Sequence, residues 1–320
     1  MKTVRTAVVG VGYLGQFHAE KYAGLPGSEL VAVVDTDIGR ARQIAAKLNV
    51  AAYDSYRELF GKVDAVSVVT PTNLHHQVAL ALLNNGIDVL VEKPITVTLQ
   101  EADDLVAAAR GQGRILQVGH LERFNGAIVA LSGILNKPMF IESHRLAPFK
   151  DRGTEVDVIL DIMIHDIDII LNIVGAPVTG IHAVGVPVVS SQTNDIANVR
   201  LEFATGCIAN VTASRISVKE MRKIRIFQQD AYISIDYAKQ DIEVYRKMDL
   251  GEQYDTAQIM YDDIDITQAD SLKEEIRSFI NAVETRCEPA VPGEAGRDAL
   301  KIALEIVHQV ENRKQALQAR

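Results

Sequence analysis

Residues 5–15 read Arg5-Thr6-Ala7-Val8-Val9-Gly10-Val11-Gly12-Tyr13-Leu14-Gly15, and a second apolar run, Leu30–Val34, is followed at once by Asp35. A short Val-rich run reads as a strand, and the periodic residues Leu14–Ala23 read as a helix. The three glycines therefore fall on the turn between them. Gly10 permits the tight turn, Gly12 lets a ligand approach the backbone, and Gly15 lets the helix pack closely on the sheet.

A helix that opens on such a turn presents amide donors to a pyrophosphate, so the pattern is a dinucleotide-binding fingerprint. The expected contacts in the turn are Gly10, Val11, Gly12, Tyr13, Leu14 and Gly15. Asp35 lies 20 residues past Gly15, where a carboxylate accepts hydrogen bonds from the adenine ribose. Its charge would repel a 2′-phosphate, which favours NAD over NADP. Thr36 belongs to the same expected site, and Arg40 is near enough to leave NADP as the alternative.

The same alternation continues outward. Strands are predicted at Arg5–Val9, Leu30–Val34, Ala65–Thr70, Val89–Glu92 and Ile115–Val118, with helices at Leu14–Ala23, Ile38–Leu48, Asn73–Asn84 and Leu99–Gly111. Continuous Val-rich strands alternating with helices imply a parallel sheet covered on both faces, an α/β Rossmann doubly wound sheet. Two further strand ends share the cofactor edge. Thr70-Pro71-Thr72-Asn73 can line the cofactor, with Asn73 capping the next helix. His75 and His76 read equally as cofactor contacts or as polar residues at a helix start. At Glu92-Lys93-Pro94, the lysine stands at the carboxyl end of a strand, where doubly wound sheets bind ligands.

After Gly119 the pattern changes. Strands are predicted at Pro138–Leu146, Ile181–Val189, Ala197–Phe203, Cys207–Ser214, Arg222–Gln228, Ala231–Tyr237 and Ile242–Lys247. Hairpin-length links such as Ala204-Thr205-Gly206 make this sheet mainly antiparallel. Helices are expected at Ser271–Thr285 and Arg297–Gln318. The division read here is a Rossmann domain over 1–120 and an α+β domain over 121–320, which binds substrate and forms a homo-oligomer through an open sheet face.

Residues 158–174 form an apolar run interrupted by Asp161, His165, Asp166 and Asp168. Burying an unpaired charge costs several kcal/mol, so such groups stay only when paired or when they perform chemistry. In a straight α-helix, Asp161, His165 and Asp168 share one face, which points to proton transfer. Asp166 lies off that face and reads as structural. Asp168 reads as a buried partner for a basic side chain or for backbone.

The formal charge of −9 over 320 residues argues against nucleic acid or an anionic membrane as the main partner. No run reaches the ~18 apolar residues of a membrane span. The N-terminal residues read as a first strand rather than a secretory signal. Cys207 and Cys287 fit neither a disulfide framework nor a zinc site, so thiols in a reducing, cytoplasmic setting and no metal are expected.

Taken together, Gly10–Gly15, Asp35, Thr70-Pro71-Thr72-Asn73 with His75, Glu92-Lys93-Pro94, and Asp161-x-x-x-His165 with Asp168 resemble the Gfo/Idh/MocA oxidoreductases over essentially the whole chain. The resemblance implies a dinucleotide-binding domain followed by an α+β domain with a large, mainly antiparallel open sheet. It also implies a catalytic lysine at Lys93, with the family's acid and histidine at Asp161 and His165. Residues 117–125 and 156–168 are similar to the subgroup of bacterial UDP-N-acetylglucosamine 3-dehydrogenases, with Gly126 standing where that subgroup has proline. The chemistry so implied is hydride exchange between a sugar secondary alcohol and NAD. Pro94, Glu92 and Lys93 then join the cofactor contacts, and Arg123, Asn125 and Arg145 join Asp161 and His165 as substrate contacts. Guanidinium groups suit a diphosphate, and Lys150 and Arg152 are further candidates for it. An inositol, free-sugar or polyol substrate is the alternative, and a non-catalytic dinucleotide-binding regulator is the alternative of another class.

Overall fold

The computed structural model describes residues 3–149, 156–190, 192–248, 258–262, 264, 266 and 268–318. They form two compact units, residues 1–121 with 270–300, and residues 122–269 with 301–320.

In the first unit, strands β1 (Val4–Val9), β2 (Ser28–Val34), β3 (Ala51–Tyr53), β4 (Ala65–Val68), β5 (Asp88–Glu92) and β6 (Leu116–Gly119) form one sheet in the order 3-2-1-4-5-6. All its pairings are parallel. That is the doubly wound order, whose strand order reverses beside β1 and creates a crevice at the carboxyl ends. Helices α1 (Gly15–Gly24), α2 (Ile38–Leu48), α3 (His75–Asn84) and α4 (Leu99–Gly111) connect the strands. Local chemistry sets their ends. The Asp37 carboxylate caps α2 by accepting the Arg40 N–H, and α2 stops at Asn49, whose φ is 56°. Thr98 and Glu101 make a reciprocal capping box at the start of α4. Strand β3 was not predicted, being three half-buried residues, too short for a periodicity to show.

The second unit holds α5 (Gly126–Val129), β7 (Pro138–Leu146), α6 (Ile164–Val174), β8 (Val178–Val186), β9 (Ile196–Phe203), β10 (Ile208–Ser214), β11 (Met221–Gln228), β12 (Ala231–Asp236), β13 (Asp241–Met248) and β14 (Gln258–Asp262). The eight strands form one sheet in the order 14-13-12-11-7-10-9-8. Only the β7–β10 pair is parallel, because β7 enters between two hairpins. Alternation assigns Ile141, Val199, Leu201, Val211, Ile224, Ile226, Ile233 and Val244 to the covered face, all fully buried. On the other face a row of rings crosses five strands, Phe140, Phe227, Tyr232, Tyr245 and Tyr261, with neighbouring centroids 5.0–5.7 Å apart.

A single cut at residue 120 does not describe this chain. Helix α7 (Ser271–Thr285) packs back into the first unit, where Ile276, Phe279, Ile280 and Val283 share a core with Val4, Tyr22 and Leu30. The amphipathic stripe of α7 has to be buried, and this apolar cluster buries it. Helix α8 (Gly293–Gln318) contributes its residues to both units, changing over after Leu300. Among the described residues, no helix is long and apolar enough to cross a membrane.

Candidate active site

The glycine turn follows β1 and opens α1. Gly10 has φ +88°, and a β-carbon there would lie 2.5 Å from the Val69 carbonyl oxygen. A β-carbon at Gly15 would overlap the Gly10 carbonyl, while nothing lies within 4 Å of where one at Gly12 would be. The space over Gly12 is thus a cradle that a side chain would fill. Tyr13 and Leu14 stand exposed beside it. No side chain caps α1 and no acid occupies its first turn, so the positive end of the helix is left for an anionic ligand. These residues fit a dinucleotide.

Asp35 is buried and bound to that turn. Its Oδ2 accepts the Val11 N–H at 3.0 Å and its Oδ1 the Asp37 N–H at 2.9 Å. The half-exposed Arg40 reaches the same carboxylate at 3.2 Å and that of Asp37 at 3.4 Å. Thr36 is exposed beside it.

The loop after β4 departs from the expected cap. Pro71 leads into a tight 3₁₀ turn, Thr72–Leu74, and neither that turn nor α3 has a side-chain cap, so Asn73 caps nothing. His75 is the first residue of α3, as its helix-start reading has it. It is buried, with Nδ1 2.9 Å from the Pro94 carbonyl and Nε2 2.9 Å from the Thr70 carbonyl, and clamps the two loops together. Burial holds the ring below its ordinary value despite both carbonyls, so the neutral ring donates to one of them.

Glu92 ends β5. Its carboxylate accepts the Lys93 N–H at 3.2 Å and lies 3.2 Å from His18 Nε2. Burial pushes Glu92 up, but its interaction with His18 and the charge of Lys93 outweigh it and hold the carboxyl below the usual range. Its two carboxylate oxygens are thus engaged by His18 and by the Lys93 amide.

In the second unit, the straight-helix reading of 158–174 needs correction. Residues Ile159–Met163 form a π-helical turn and only Ile164–Val174 is α-helical. His165 and Asp168 therefore keep α-helical spacing in α6, while Asp161 lies in the wider turn. Asp157 anchors it, its Oδ1 accepting the Ile159 N–H at 2.9 Å and its Oδ2 the Asn194 N–H at 3.0 Å. Asp161 and His165 are partly exposed, whereas Asp166 and Asp168 are buried.

Those two buried acids decide what the arginines do. Arg123 grips Asp168 through Nε at 2.6 Å and Nη2 at 2.8 Å. Arg145 donates to Asp166 at 2.8 Å and to Glu122 at 2.8 Å, and Asp166 also accepts the Ser143 hydroxyl at 2.8 Å. Burial alone would lower Arg145, but Asp166 and Glu122 outweigh it and raise it further above its ordinary value. The Tyr237 ring lies 5.0 Å from the Arg145 guanidinium carbon, and burial next to these acids pushes its hydroxyl well up. Arg123 and Arg145 are thus fixed in ion pairs rather than left open to a diphosphate. Asn125 is likewise committed, its Oδ1 taking the Ala127 N–H at 3.1 Å to cap α5 and its amide donating to the Tyr237 carbonyl at 3.0 Å. Lys150 and Arg152 lie outside the described residues. Sequence reading gave no role to Asp157, Glu122 and Tyr237; the local signal was an acid, Asp157, immediately before the apolar run.

Residues 4–120 match the family described as "Oxidoreductase family, NAD-binding Rossmann fold", and residues 126–234 match the GFO/IDH/MocA C-terminal domain. The chain is 38% identical over 309 residues to a UDP-N-acetylglucosamine 3-dehydrogenase of Acidithiobacillus ferrooxidans, covering 96% of this chain and 97% of that protein. The chain belongs to the Gfo/Idh/MocA oxidoreductases. As a member of that family it is an NAD-binding oxidoreductase. Its likeness extends to the solved structure of the Acidithiobacillus enzyme GnnA, with a TM-score of 0.91 over 98% of this chain and 99% of that one at 38% identity. A further Gfo/Idh/MocA relative, a scyllo-inositol 2-dehydrogenase (NAD(+)) of Bacillus subtilis, is 32% identical over 67% of this chain and 68% of its own length.

Proposed function

We propose that this oxidoreductase oxidises the 3-hydroxyl of a UDP-N-acetylhexosamine. The observation that carries the reading is the 38% identity, running through 96% of the chain, to a relative named for that reaction. Bound NAD supplies the hydride acceptor. The chain's own residues manage the proton: imidazole, with a reference pKa of ~6.5, suits removal of a hydroxyl proton at neutral pH, so His165 takes that role. Lys93 hydrogen-bonds the same oxygen and stabilises the developing alkoxide, and either it or His165 is the group in direct contact with the proton. Asp161 binds a neighbouring hydroxyl or orients His165. Arg123 and Arg145 are held by carboxylates, and Lys150 and Arg152, outside the described residues, are the further candidates the sequence offers for the diphosphate.

The proposal includes a homo-oligomer built on the half-buried ring row of the second sheet, since a monomer would leave those rings facing water. It also includes a cytoplasmic setting, in keeping with two free thiols, Cys207 and Cys287.

The deciding experiment incubates the protein with NAD and UDP-N-acetylglucosamine, N-acetylglucosamine, scyllo-inositol or myo-inositol, and follows nicotinamide absorbance. Turnover confined to the nucleotide sugar is expected. Turnover on inositols alone would replace the reading by the inositol one, which the 32% identical relative favours. Silence across the panel would leave a dinucleotide-binding regulator. A monomeric mass by light scattering of dilute protein would remove the oligomer.

A further inference from the structure

Glu275, on α7, is fully buried, and neither of its carboxylate oxygens has a hydrogen-bond partner among the described residues. It is not alone. Ligand atoms of His18, Glu92 and Glu275 all lie within 4.8 Å of one another. Two carboxylates in one dry site do not both ionise cheaply, so one of them holds a proton or the pair holds a cation.

The surrounding donors say which carboxylate keeps its charge. The Tyr22 hydroxyl lies 2.7 Å from Ser67 Oγ, Ser67 Oγ lies 3.3 Å from His18 Nδ1, and His18 Nε2 lies 3.2 Å from Glu92. Run in one direction, Tyr22 donates to Ser67, Ser67 to Nδ1, and Nε2–H to Glu92. The Lys93 N–H adds a second donor to Glu92, and the Lys93 charge further favours the ionised form. Every donor in the cluster thus ends on Glu92. Glu275 receives none; burial and the charge of Glu92 push it well above the usual carboxyl range. Gln117 donates only to the Glu275 main-chain carbonyl.

We propose that Glu275 is a positioning residue: a neutral carboxylic acid that donates its proton toward Glu92 and so fixes one negative charge beside the Lys93 turn. The claim about Lys93 rests on the role given to it under Proposed function; the claim about the proton does not. The titratable groups around the pair are His18 and Tyr22 on α1, His75 on α3, and Glu92 and Lys93 at the end of β5.

The test starts with infrared spectra of the full chain carrying isotope-labelled glutamate. A protonated-carboxyl stretch that persists through neutral pH in the wild type is expected. Its absence there overturns the proposal, whether or not any variant folds. One tightly held equivalent of Zn²⁺ or Mn²⁺ after equilibrium dialysis, lost in Glu275→Gln, would also overturn it in favour of a cation site. Glu275→Leu removes the donor and should lower kcat about tenfold at unchanged KM for NAD, with Glu275→Gln restoring most of it. Glu92→Gln removes the negative charge and should move the Lys93-dependent limb of the pH profile down by about one unit. An equal move in Glu275→Gln would mean that Glu275 is ionised, which defeats the proposal. Should Lys93→Ala remain active, the role given to Lys93 fails while the infrared result still stands.

Discussion

Asp35 and Asp166 are both buried carboxylates, but they come by their partners in different ways. Asp35 binds the amides of Val11 and Asp37 and the side chain of Arg40, groups supplied by one turn and by its own loop. Asp166 binds Ser143 and Arg145 on β7, and Arg145 in turn binds Glu122. At Asp35 backbone shape places the charge; at Asp166 long-range side-chain partners do. The difference teaches which residues are free for chemistry. A group fixed by local amides keeps its place whatever the distant sequence does, whereas a group fixed by a distant charge is claimed by it.

That contrast can be broken at several points. The largest effect is expected at the two residues assigned to the proton and the developing alkoxide. Lys93→Ala and His165→Ala should each lower turnover by ~10²–10⁴-fold while NAD still binds, as read by steady-state kinetics beside NADH fluorescence. A near-normal rate in His165→Ala would remove it from the reaction. Next comes the second-unit network. Asp166→Ala leaves the Arg145 charge buried without its main partner and should cost about 3–5 kcal/mol in urea unfolding. A loss below ~1 kcal/mol would mean that Arg145 is free to serve a ligand after all.

Asp195 gives a smaller effect with a defined pH window. Burial pushes its carboxyl up, but the Ser190 hydroxyl and the amides of Ser190, Val189 and Val188 outweigh this and hold it at about 2. A depressed carboxyl stabilises the fold above the unfolded value of ~3.9, and that contribution is lost as pH falls toward the folded value. About 2–3 kcal/mol should therefore disappear across that acid window in denaturant titrations, and Asp195→Asn should flatten the slope. Smallest is Asp35→Ala, expected to raise the Kd for NAD about tenfold and to narrow the preference over NADP. An unchanged Kd by calorimetry would leave Asp35 only a turn-holding role.

Much of the fold was legible because its signals are local. The spacing of Gly10, Gly12 and Gly15 and the alternation in β9 through β13 are short-range matters of steric space and period. Helices α2, α4 and α7 fall on the residues predicted for them. The substrate half was less legible. Arg123, Asn125 and Arg145 have the right chemistry for a nucleotide sugar, yet a side chain's chemistry does not say which partner reaches it first. His75 read equally as a cofactor contact or a polar residue at a helix start, because nothing local shows that the Thr70 and Pro94 carbonyls come within hydrogen-bond reach of it.

What the sequence determined by itself was the parallel sheet, the dinucleotide turn, and the presence of Lys93, Asp161 and His165 in a family pattern. Tertiary structure alone decided that α7 returns to the first core, that Asp161 sits in a π turn, and that two arginines pair with Asp166 and Asp168. The physical reason is range. Steric and hydrogen-bond preferences within a few residues are written along the chain, whereas burial and ion pairing depend on which distant groups the packed core brings within about 3 Å.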